Sequence, residues 1–176
     1  GGDSYIRYNK LADPYDLFTS SVYSIRANTA GLKNIVYGDD ESRFSVRDGK
    51  AVLNVYIACN QPAFFPHYYI YWYNSAGNLF HTTLNNNYFG LDNENAFKLF
   101  HFSVNAPAGA TSFVIELKFD FNNKNTQYYL LPGYTNISST TAPRVSPAEM
   151  QFLSNLYGTG PYWHNRYLSS QESLEL

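Results

Sequence analysis

The chain has 176 residues, of which 15% are charged and 18% aromatic, with a formal net charge of −2. That length suits one domain with a real core, and a near-neutral balance without clustered Lys and Arg excludes the electrostatic footprint of a nucleic-acid partner. Cys59 is the single cysteine, which rules out an internal disulfide, and no apolar run approaches the roughly 18 residues of a membrane-spanning helix.

Taken in chain order, residues 1–20 mix Tyr and Asp around Pro14 without a steady period and read as an arm packed on a body. From Ser21 the pattern alternates with period two, the signature of strands. Val22–Arg26 and Leu32–Tyr37 are two such runs, joined by a turn at Gly31. Asp48-Gly49 is a strong hairpin dipeptide, with Arg43–Arg47 before it and Ala51–Cys59 after it. In the latter, Leu53, Val55, Ile57 and Cys59 point inward and Asn54, Tyr56 and Ala58 outward. Cys59 on that face is expected to be a small buried hydrophobe rather than a nucleophile.

His67–Asn74 is built almost entirely of rings. One face carries Tyr68, Ile70 and Trp72, and the other carries His67, Tyr69, Tyr71 and Tyr73. A Ser75-Ala76-Gly77-Asn78 turn leads into Leu79–Leu84. Lys98–Val104 sends Phe100, Phe102 and Val104 inward. The cleanest alternation is Phe113, Ile115, Leu117, Phe119 and Phe121 against Val114, Glu116, Lys118 and Asp120. Asn122–Asn125 ends that strand, and Gln127–Leu131 is placed to pair back on it as a hairpin.

Eight or nine short strands separated by turn signals predict an all-β protein, an antiparallel β-sandwich of jelly-roll type, over residues 21–135. One C-terminal α-helix is expected over 146–157. Ser146 supplies the N-cap, Pro147 the first helical position and Glu149 the capping-box carboxylate. Met150, Leu153, Leu156 and Tyr157 form its apolar stripe and Gly158 stops it. Residues 136–176 thus read as a linker, this helix and an aromatic tail (Gly160 to His164) packed on the same domain, polar and frayed from Ser169.

Two segments carry a family pattern. Tyr71-Trp72-Tyr73-Asn74-Ser75-Ala76-Gly77-Asn78 resembles the W-Y-(D/N)-x-x-G-N strand–turn, and Asn105-Ala106-Pro107-Ala108-Gly109-Ala110-Thr111-Ser112 resembles the x-A-P-x-G-A-x-S/T turn before a penultimate strand. In this order they are similar to jelly-roll carbohydrate-binding modules and galactose-binding-like β-sandwiches of secreted bacterial proteins. The resemblance covers residues 20–131 and rests on turn chemistry. It implies glycan binding on an aromatic platform, and in many members a structural calcium. The arm and the 146–157 helix depart from a minimal module.

The candidate ligand-binding residues are His67, Tyr69, Tyr71 and Tyr73, with Tyr56 and Asn54 on a possible neighbouring strand and Asn86 and Tyr88 in a loop. Rings suit pyranose C–H faces, and Asn, His and Tyr hydrogen-bond hydroxyls. The competing reading makes this row a second buried face, covered by the arm or helix. Asp39-Asp40-Glu41 and Asp92-Asn93-Glu94-Asn95 carry oxygen ligands of the kind calcium takes, without EF-hand spacing; solvated acidic turns are commoner, so no cofactor is expected. His67, His81, His101 and His164 lack metal-ligand spacing. No nucleophile elbow, P-loop or dinucleotide fingerprint is present. The sequon Asn136-Ile137-Ser138 matters only in a eukaryotic secretory setting.

The leading expectation is a non-catalytic binding module, secreted or at the cell surface, that recognises carbohydrate or another cell-surface ligand. Low charge with abundant Asn, Ser, Thr and Tyr fits that extracytoplasmic setting. A structural, assembly or host-interaction domain binding a protein partner is the second reading. A glycan-acting hydrolase or lyase is the third. It is disfavoured because Glu116 and Asp120, four apart on one face, lie about 13 Å apart along the strand, too far for a dyad that needs roughly 5–10 Å.

Overall fold

The computed structural model describes residues 5–8, 22–27, 29–38, 41, 43–65, 67–86, 89–91, 97–130, 136–138 and 171–175. The helix expected over 146–157 and the aromatic tail fall outside them, as do most of the 1–20 arm and most of the linker, whose first residues, 136–138, are a strand instead. Among the described residues no helix is long and apolar enough to cross a membrane.

The fold is an all-β sandwich. Its strands are β1 (Tyr5–Tyr8), β2 (Val22–Arg26), β3 (Gly31–Tyr37), β4 (Phe44–Ser45), β5 (Lys50–Cys59), β6 (Ala63–Phe65) and β7 (His67–Asn74). They continue with β8 (Leu79–Asn85), β9 (Phe89–Leu91), β10 (Lys98–Asn105), β11 (Ala110–Phe121), β12 (Gln127–Leu130), β13 (Asn136–Ser138) and β14 (Gln171–Glu175). The front sheet runs β1-β3-β11-β7-β8, with β4 also on β11; the back sheet runs β10-β5-β12-β2-β14, with β13 also on β5. β6 and β9 form a small separate pair.

The alternation assigned to the long strands places the core between the sheets. Phe113, Ile115, Leu117, Phe119 and Phe121 of β11 pack in one buried cluster with Leu53, Val55, Ile57 and Cys59 of β5 and Phe100 and Phe102 of β10. Rings lock it: Tyr68 of the front sheet stacks on Phe102 of the back sheet, centroids 4.5 Å apart. Tyr128 meets Phe119 and Phe121 edge-on at 4.8 and 5.0 Å. Its hydroxyl, which burial would otherwise penalise, donates to the Asp120 carbonyl at 2.5 Å.

The predicted hairpin Tyr73–Leu79 forms as read. The Asn74 side chain accepts from the Ala76 and Asn78 N–H groups at 3.0 Å each, and Gly77 takes the positive φ of 82° that the turn requires. Two other connections differ from expectation, because period-two patterning identifies a strand but not the sheet it joins. Gln127–Leu130 does not pair back on β11; it pairs with β2 and β5 in the back sheet. The Gly31 turn joins two strands as read, and they belong to different sheets. At Asp48-Gly49, with φ 52° and 68°, the hairpin stops at one bridge between Arg47 and Lys50. β4 then leaves to pair with β11 across Phe44 and Phe113.

Among the described residues pairing is antiparallel except at two edges, where a wholly antiparallel sandwich was expected. β1 lies parallel on β3, and β14 lies parallel on β2. Both come from the chain's outer segments, which reach the edges from far away in sequence and need no tight turn. Residues 171–175, read as frayed, are therefore a paired edge strand.

Candidate functional site

The outer face of the front sheet is assembled by register. Asn34, Lys118 and His67 are aligned across β3, β11 and β7; Val36, Glu116, Tyr69 and Leu84 form the next rank; Val114, Tyr71 and Thr82 form the one after. Aligned residues in a sheet point to the same side, so the rings of β7 stand beside the charged side chains of β11. This is the direct consequence of two alternating patterns, rings on β7 and Glu116/Lys118 on β11, meeting in register.

The rings do not lie flat. Tyr69 and Tyr71 are nearly parallel, 14° between planes and 5.9 Å between centroids. His67 meets Tyr69 edge-on at 5.4 Å. They stand like slats along the strand, half-buried at His67, Tyr69 and Tyr71. Tyr73 departs from the outward reading: it is 8% exposed, packed with Val36 and Val114 under the Arg43 guanidinium, 4.6 Å from its ring. The front sheet thus has a second, smaller apolar cluster on its outer side, which closes one end of the row.

Polar groups order the remainder. The Tyr71 hydroxyl donates to Glu116 Oε2. Burial first, and then the Glu116 carboxylate, push the Tyr71 pKa far above its usual value, so the phenol stays protonated. Lys118 Nζ donates to Asn34 Oδ1 at 2.6 Å and lies 5.9 Å from the Tyr69 ring. Burial and then the Lys118 charge lower the His67 pKa, with Glu116 opposing; the imidazole is neutral near pH 7. Among the described residues, the Tyr69 hydroxyl, Glu116 Oε1 and the His67 nitrogens take no hydrogen bond from the protein.

Asn54 and Tyr56 belong elsewhere. Their strand β5 lies in the back sheet, so β7 is not its neighbour, and they are 2% and 3% exposed. β5 is buried on both faces from Ala51 to Cys59, which alternation alone does not reveal. Asn54 Oδ1 meets His101 Nδ1 at 2.8 Å, while its Nδ2 has no hydrogen-bond partner among the described residues. Asn86 is exposed at the end of β8; Tyr88 lies outside the described residues, as do Asp39, Asp40 and residues 92–95. No group of three or more His, Cys, Asp or Glu able to hold a metal occurs among the described residues.

Sequence reasoning missed two features. Asn60 clamps the β11–β12 loop: its Nδ2 donates to the Asn125 carbonyl at 2.9 Å and its Oδ1 accepts from the Gln127 N–H at 3.0 Å. A lone Asn after a strand carried no signal for this. The second is edge strand β8, where Leu79, Phe80 and Leu84 are 51%, 42% and 49% exposed. The absence of any charge in Leu79–Asn85 was the available signal.

No family model matches the chain, and no curated protein does. Among solved structures, 10 chains match. One, described as “CBM4 structure and function” (CBM denoting carbohydrate-binding module), is 14% identical with a TM-score of 0.35, over 61% of this chain and 59% of that one. The chain thus spans less than two thirds of that neighbour's length.

Proposed function

We propose that this domain is a non-catalytic carbohydrate-binding module, acting outside the cytoplasm, whose binding face is the outer side of the front sheet. One observation carries the reading: a ladder of mutually packed rings, His67, Tyr69 and Tyr71, stands beside a carboxylate already oriented by the Tyr71 hydroxyl. Rings locked against one another lose little freedom when a ligand arrives, and pre-organisation of that kind is what converts modest contacts into affinity. A polyhydroxylated ligand supplies the donors and acceptors that the unpartnered tips of the face lack. Glycoside hydrolysis by a carboxylate pair would require a second carboxylate facing Glu116, and Asp120 stands about 13 Å along the strand. The test is retention of the intact chain on an array of immobilised oligosaccharides, repeated with Glu116→Ala. Retention lost in the variant, with the melting temperature held, supports the reading; equal retention sinks it.

A second reading, an assembly domain with a protein partner, is favoured by β8. The uncharged edge with exposed Leu79, Phe80 and Leu84 is the kind of strand that other chains extend. Sedimentation of wild type against Leu84→Lys decides it: a concentration-dependent complex that the lysine abolishes would support assembly, and a monomer throughout would remove self-association.

A further inference from the structure

Resting on the carbohydrate reading, we infer that this face reads a ligand by the hydroxyl edge of a sugar and not by stacking, with Glu116 and Tyr69 as its specificity-determining pair. Stacking needs an open ring face. Tyr69 has Tyr71 along one direction of the strand, at 5.9 Å and 14°, and His67 along the other, edge-on at 5.4 Å. Residues at i−2 and i+2 flank the central residue from opposite sides, so the Tyr69 ring has an aromatic neighbour on each side along the strand. Lys118 lies over the same ring at 5.9 Å. Tyr71 shares a face with Tyr69 and packs against the Val36, Tyr73 and Val114 cluster. Tyr73 is buried with them.

What the row offers to solvent is therefore its polar tips. Tyr69 and Glu116 are direct cross-strand partners, a relation that brings Cβ atoms to about 4.5–5.5 Å. Within that rank Glu116 Oε2 is occupied by the Tyr71 hydroxyl, while Oε1 and the Tyr69 hydroxyl have no partner among the described residues. A fixed carboxylate oxygen accepts from a hydroxyl in a charge-assisted hydrogen bond, stronger than a neutral one. The adjacent phenol then serves the neighbouring hydroxyl, accepting or donating as that group requires. The chemical class is a glycan with two adjacent free hydroxyls on one accessible sugar, and substitution at either hydroxyl blocks recognition.

The experiment separates edge from face. The oligosaccharide most strongly retained on the array is titrated calorimetrically into wild type, Tyr69→Phe, Tyr69→Ala and Glu116→Gln, with a thermal melt of each. Tyr69→Phe keeps the ring and removes the hydroxyl alone. Edge reading predicts that Tyr69→Phe weakens binding tenfold or more, nearly as much as Tyr69→Ala, and that Glu116→Gln weakens it similarly at an unchanged melting temperature. Wild-type affinity in Tyr69→Phe, with loss only in Tyr69→Ala, overturns the inference and leaves carbohydrate binding standing. Wild type that retains no oligosaccharide overturns the carbohydrate reading itself, and the inference with it.

Discussion

The Tyr71 hydroxyl hydrogen-bonds Glu116 diagonally across the β7–β11 pair. It fixes the one carboxylate at the centre of the outer face and keeps the phenol protonated, its pKa far above the usual tyrosine value through burial and the adjacent charge. A carboxylate left free to rotate would have to be ordered again on each binding event. Tyr71→Phe retains the ring that packs on Val114 and releases Glu116. The expected outcome is a melting temperature close to wild type and a glycan affinity about tenfold weaker, equivalent to roughly 1.4 kcal/mol, read by calorimetric titration.

Leu117 and Lys118 are adjacent on β11 and face opposite ways. Leu117 is fully buried in the core, and Leu117→Ala is expected to cost about 2–5 kcal/mol in urea unfolding. Lys118→Ala loses a half-exposed hydrogen bond to Asn34 and should cost about 1 kcal/mol or less. A reversal of that order would mean that the sheet is turned inside out.

Asn60 ties the β11–β12 arch to the end of β5 through two hydrogen bonds to the backbone. Asn60→Ala removes the side-chain acceptor of the Gln127 N–H, and Gln127 is buried. A loss of about 1–3 kcal/mol is expected, with faster hydrogen exchange confined to residues 122–127.

Cys59 sits in the core, and burial pushes its thiol from 9.0 up to about 11 against opposing backbone hydrogen bonds. The unfolded chain loses that proton first. Between pH 9 and 11 the folded state therefore holds more protons, and stability falls as pH rises through this window. Tyr129, raised to about 12 chiefly by burial, acts with the same sign. Denaturant unfolding from pH 8 to 11 should show the decline, with a shallower slope in Cys59→Ala. Below pH 9 the native thiol should resist alkylation.

Local patterning carried most of the layer assignment. The inward sets of β5, β10 and β11 were legible because each strand needs only one answer, which face is apolar, and Phe113 to Phe121 repeats that answer five times. Sheet membership was not legible. Whether β12 turns back on β11 or crosses to β5 depends on contacts such as Asn60 with Gln127, sixty-seven residues apart, and no local period encodes them. The same limit separated Asn54 and Tyr56 from the ring row, since β5 and β7 have compatible patterns but lie in opposite sheets. Alternation placed Tyr69, Tyr71 and Tyr73 on one face correctly, yet gave no hint that the rings pack on one another or that Tyr73 is covered.

The central claim is that the outer face of the front sheet binds carbohydrate. Backbone amide chemical-shift mapping tests it most directly, with the array-selected oligosaccharide titrated into isotopically labelled chain. The account predicts perturbations concentrated at His67, Tyr69, Glu116 and Lys118, with β5 and β12 silent. Perturbations centred instead on Asn86 and the 122–125 loop, or along the edge of β8 alone, would contradict it.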